Sequence, residues 1–128
     1  MLEKFSQIDL NQELERLIEL FQAGKIEVLL SEINQLLNQF PRSIALLNLK
    51  GISCSHLRNF KEAIKVYKKA VQIDPENPIT YFNLGVALQD SGQSAQALHQ
   101  YKVAFSKNPK YLDKNYAGTL IIWDKLFN

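Results

Sequence analysis

The chain has 128 residues, 46% of them hydrophobic and 22% charged, which suits one domain with a continuous core and excludes a disordered or fibrous polymer. Fifteen basic residues against thirteen acidic ones leave a net charge of +2, too small a surplus for the broad positive field that nucleic acid or an anionic membrane would need, so neither is an expected partner. The one cysteine, Cys54, excludes an internal disulfide and a cysteine-based zinc site, and only five Gly and four Pro leave little room for long irregular segments.

Residues 1–9 lack the apolar core of a signal peptide, and no apolar run along the chain reaches the roughly eighteen residues of a membrane span, so a cytoplasmic setting is expected. Leu2, Phe5 and Ile8 give residues 1–8 enough apolar surface either to fold back into a groove between the helices or to cap the first helices. Asp9 is the expected cap of the first helix, with Gln12 as its capping-box partner. Leu14, Leu17, Ile18 and Phe21 then follow helical spacing up to Gly24, and Leu29, Leu30, Ile33, Leu36 and Leu37 repeat the pattern up to Pro41. In the next pair, Asn59 and Glu62 mark the start of the second helix. Asn77 followed by Pro78 opens a third pair, a capping side chain with proline in the first helical position, and Gly92 separates its two helices. Residues 112–127 read as one further helix.

Pro41, Pro75 and Pro109 stand 34 residues apart. Laying residues 44–77 over 78–111 pairs Gly51 with Gly85, Ala63 with Ala97, Tyr67 with Tyr101, Lys68 with Lys102, Ala70 with Ala104 and Pro75 with Pro109. Five of these six are small, aromatic or turn residues, the types that packing restricts most. A small residue lets two crossing helices approach, an aromatic supplies buried area, and a proline after a helix stops it.

Over this 34-residue period the chain resembles the tetratricopeptide family, whose order of Leu-Gly, Ala, aromatic, Ala and Pro is carried by Leu84-Gly85, Ala97, Tyr101, Ala104 and Pro109. Gly51, Ala63, Tyr67, Ala70 and Pro75 carry it once more, although Lys50 replaces the apolar residue before the glycine. The resemblance implies an all-α fold: a right-handed α-solenoid of three helix pairs plus a C-terminal helix. Its divisions are an N-terminal segment 1–9, a degenerate repeat 10–43, repeats 44–77 and 78–111, and a last helix over 112–128, either a cap or the first helix of a fourth repeat. In repeat one, Leu17, Leu29 and Leu36 fill the glycine and alanine columns, as in an atypical terminal repeat.

The resemblance further implies a non-catalytic scaffold for protein–protein interaction, with the first helix of each repeat lining a concave groove that takes a peptide or protein segment. Carried over column by column, the groove receives Asn48, Ile52, Ser55, His56, Ile79, Phe82, Asn83, Val86, Gln89, Asp90 and Tyr116, together with Leu14, Ile18, Leu120, Trp123 and Asp124. Phe82 and Tyr116 are its expected aromatic anchors. Leu14, Ile18, Ile52 and Ile79 stand where carboxylate-clamping relatives carry Lys, Arg or Asn, so a partner with apolar anchors is expected instead. For each inner position the bland alternative is packing against a neighbouring helix.

His56, Asp90 and Asp124 share one column, which suits a contact between repeats or plain exposure better than a metal site or a catalytic base, since two histidines furnish no ligand set. His99 belongs to an outer helix, and Lys61, Lys65, Lys68 and Lys69 form a solvated outer face. No phosphate loop or nucleophile elbow appears, so neither enzyme activity nor a cofactor or metal is expected. Two other readings stand beside the scaffold. One is a targeting module ahead of a bacterial transferase-type enzyme, which a reading frame continuing past Asn128 favours. The other is a self-association module, in which Leu120, Ile121, Ile122, Trp123, Leu126 and Phe127 of the last helix pair with a second copy as a homodimer.

Overall fold

A computed structural model describes residues 7–108 as six helices in sequence: α1 (Gln7–Gln22), α2 (Ile26–Gln39), α3 (Ile44–His56), α4 (Phe60–Ile73), α5 (Pro78–Asp90) and α6 (Ser94–Lys107). Among the described residues there is no strand. The helices form three successive hairpins, and α1 packs on α3 and α3 on α5, so the first helices of the hairpins make one continuous layer of an α-solenoid. The helix expected over 112–127, with Tyr116, Leu120, Ile121, Ile122, Trp123, Asp124, Leu126 and Phe127, lies outside the described residues, as does Pro109.

Helix boundaries follow local chemistry. Ser43 accepts a hydrogen bond from the Leu46 amide at 3.2 Å, Asn59 from Glu62 at 3.4 Å, and Asn77 from Ile79 at 3.0 Å with Pro78 in the first turn. Each satisfies an amide that the helix start leaves without a backbone partner. Asp9 does not cap α1. The helix is already under way at Gln7, which puts Asp9 in its first turn. Pro41 and Pro75 lie just past the ends of α2 and α4, where a missing N–H cannot interrupt a helix.

The turn inside each hairpin needs one residue at positive φ. Gly24 (79°), Arg58 (64°) and Gly92 (88°) fill it at 34-residue intervals. Glycine takes this conformation without the Cβ clash that a side chain incurs. Arg58 does so with its guanidinium 5.1 Å over the Phe60 ring, a cation–π contact that offsets part of the strain.

The alanine columns sit in the core: Ala63, Ala70, Ala97 and Ala104 are all buried, as are Leu29 and Leu36 in the same places of repeat one. The glycine columns work differently from the expected approach of two backbones. A Cβ on Gly51 would stand 2.3 Å from Tyr67, and one on Gly85 2.6 Å from Tyr101. Each tyrosine ring packs over the glycine sixteen residues before it. In repeat one the same two positions are Leu17 and Ile33, both fully buried, so two medium side chains take the space that elsewhere goes to none and a large one. The degenerate repeat keeps the volume and loses the motif.

Candidate functional site

The layer formed by α1, α3 and α5 carries most of the residues expected in the groove, and they fall into columns 34 apart. Asn48 on α3 donates through Nδ2 to Thr80 Oγ1 on α5 at 3.0 Å and accepts through Oδ1 from Asn83 Nδ2 at 3.4 Å. Thr80 and Asn83 are buried, so this polar chain fixes the register of repeat three on repeat two. Two expected groove residues, Asn48 and Asn83, therefore hold the scaffold together.

Phe82 corrects the expected anchor. It is 0% exposed and packs on Tyr101 with ring centroids 5.1 Å apart, so it cannot meet a partner. The ring fills the space between α5 and α6 in which Tyr101 already leans over Gly85. Val86 and Asn83 are also largely buried, whereas Ile18 and Ile79 are about half exposed and His56, Gln89 and Asp90 are exposed. Leu14 packs against the core of repeat one and Ile52 against the core of repeats two and three, each remaining partly accessible. Tyr116 lies outside the described residues. On α4, Lys61, Lys65, Lys68 and Lys69 are all exposed, and so is His99 on α6.

Six of the expected residues converge on one cavity of about 200 Å³: Ile52, Ser55 and His56 from α3, and Asn83, Val86 and Asp90 from α5. Phe21 of α1 and Tyr67 of α4 complete its wall. Sequence reasoning assigns neither of these two to the groove, although Phe21 belongs to the column of Ser55 and Gln89. His56 sets its ring edge-on to Phe21, with centroids 5.4 Å apart, and joins α1 to α3 by that contact. His56 and Asp90, the stacked pair of the sequence, are joined by no hydrogen bond among the described residues, and no group of three His, Cys, Asp or Glu side chains able to hold a metal occurs among them.

Partial desolvation at the cavity rim raises the Asp90 carboxyl above the usual range, and the charge of Arg58 offsets this only in part. Burial likewise raises the Tyr67 and Tyr101 phenols and the Cys54 thiol, so all three remain protonated at neutral pH. The Tyr101 hydroxyl donates to Gln89 Oε1 at 2.7 Å. One repeat earlier the same columns hold Tyr67 and Ser55. There the shorter Ser55 side chain lies near the phenol, and its Oγ is shut off from solvent with no partner among the described residues.

The family model for the TPR repeat matches residues 59–92, a window covering α4 and α5. This stretch of the chain is a TPR repeat. Its fold is similar to that of the type III secretion translocator chaperone SycD of Yersinia enterocolitica, at 20% identity and a TM-score of 0.76 over 88% of this chain and 80% of that one. SycD in complex with a peptide of the translocator YopD matches at 18% identity and a TM-score of 0.75, over 86% of each chain. MamA of Desulfovibrio magneticus RS-1 matches at 19% identity and a TM-score of 0.69 over 78% of this chain, which spans 56% of that MamA chain. At these identities the likeness establishes the fold alone, an α-solenoid of helix hairpins. Among the described residues no helix is long and apolar enough to cross a membrane.

Proposed function

We propose that this TPR array is a non-catalytic interaction module whose concave face receives a peptide or protein segment. The observation that carries the reading is the cavity between α1, α3 and α5, walled by Phe21, Ile52 and Val86 and edged by His56 and Asp90. Apolar walls with a few polar groups at the rim suit one side chain of an extended or helical segment, whose neighbours can rest on exposed Ile18 and Ile79. The SycD complex with a YopD peptide gives a precedent for peptide capture on this fold. The single imidazole and single carboxylate at the rim, unpaired with each other, supply no acid–base machinery, which favours binding over catalysis.

A random-peptide library displayed against the 128-residue chain tests this reading. Enriched peptides should lose affinity when exposed His56 is changed to Glu and keep it when exposed Lys65 on the outer helix is changed to Glu. Failure to enrich any peptide, or peptides indifferent to His56 and sensitive to Lys65, would contradict it.

A further inference from the structure

The cavity exists because of one size difference within a column. Phe21, Ser55 and Gln89 occupy equivalent places on α1, α3 and α5. In repeat three the long Gln89 side chain reaches the phenol of its own hairpin and accepts from Tyr101 Oη at 2.7 Å. In repeat two Ser55 is too short to do the same for Tyr67. The missing length opens about 200 Å³, bordered by the Tyr67 ring on one side and Asp90 on the other. Tyr67 is almost wholly buried, and Ser55 Oγ beside its phenol is buried without a partner among the described residues. A buried hydroxyl without a partner is costly, and a cavity that leaves one beside a phenol is shaped for a group that supplies the partner.

We infer that this pocket is a recognition site for a primary carboxamide, the side chain of a glutamine in the bound segment, which takes up in repeat two the place that Gln89 holds in repeat three. The carboxamide oxygen accepts from Tyr67 Oη, as Gln89 Oε1 accepts from Tyr101, and with its second lone pair from Ser55 Oγ, while its NH₂ group donates to the Asp90 carboxylate at the rim. The methylene stem lies between Ile52 and Val86. Other side chains satisfy less of the site. A glutamate brings a second carboxylate against Asp90. A lysine pairs with Asp90 but offers Tyr67 no acceptor, and a leucine satisfies neither. This inference rests on the concave-face reading above, and its test separates the two.

The pocket can be filled from within. In Ser55→Gln the new side chain restores the Gln89–Tyr101 arrangement in repeat two, so Tm should rise, on the order of 4 °C. The same library selected against the parent chain should yield peptides with glutamine at one fixed position. Changing that glutamine to Glu, Lys or Leu should weaken binding about tenfold or more, and Ser55→Gln should weaken it as much. A fall in Tm for Ser55→Gln would overturn the inference whether or not peptides are found. So would enriched peptides that carry no fixed glutamine, or that carry lysine in its place, although such peptides would leave the concave-face reading intact. An empty selection would defeat the concave-face reading and this inference together.

Discussion

Tyr67 lies against Gly51 so closely that a Cβ on the glycine would stand 2.3 Å from the ring, and Tyr101 repeats this on Gly85 at 2.6 Å. The ring, not a neighbouring backbone, is what excludes a side chain there. Gly51→Ala should therefore destabilise the chain by about 1–3 kcal/mol through overpacking. The double change Gly51→Leu with Tyr67→Ile copies the Leu17–Ile33 pair of repeat one and should recover much of the loss that Gly51→Leu alone incurs. Chemical denaturation of the two single variants and the double variant would measure the coupling, and strict additivity would contradict the packing described.

Gly92 is restricted for another reason. Nothing lies within 4 Å of a Cβ built on it, but its φ of 88° is a conformation that side chains resist. Gly92→Ala should cost about 1 kcal/mol from backbone strain alone. A thermal melt checks this, and the loss should be independent of any change at Tyr101.

Thr80 links the two inner helices by accepting from Asn48 at 3.0 Å. Thr80→Val keeps the volume and removes the acceptor, which should cost about 1–3 kcal/mol by leaving the Asn48 amide short of a partner. Hydrogen exchange should then speed up in α5 and α6 more than in α1 and α2.

The fold was legible because hairpin packing imposes rules that a period exposes. Ala63 and Ala97 must be small, Pro75 must follow a helix, and Asn77 must cap one. The faces of the inner helices were less legible. α5 is covered on almost every side, burying the unbroken run 82–88, so its pattern has no polar stripe to point outwards, and nothing in it separates a buried Phe82 from a groove-facing one. The cavity was less visible still. It depends on the different reach of Phe21, Ser55 and Gln89 and on where the Tyr67 hydroxyl ends, and neither is set by residue type alone.

Asp90 gives a pH dependence with a definite sign. Its folded pKa is raised by partial desolvation at the cavity rim, with Arg58 offsetting part of the effect. The folded state therefore holds its proton more tightly than the unfolded chain, and this group's contribution to stability falls as pH rises from the ordinary aspartate range through the raised value. Asp90→Asn should melt higher than the parent at pH 7, with the difference shrinking in acid. Melting curves from about pH 3 to pH 7 would check it, and a variant less stable at pH 7 would reverse the assignment.

The central claim is that the concave face around Ile52, Ser55 and Asp90 receives the partner. The most direct measurement is a titration of a library-selected peptide into ¹⁵N-labelled protein, followed residue by residue in amide spectra. The largest shifts should fall on Ile52, Ser55, His56, Val86 and Asp90, with Lys61, Lys65, Lys68 and Lys69 of α4 unmoved. Shifts concentrated on the α4 lysines, with the cavity residues unchanged, would contradict it.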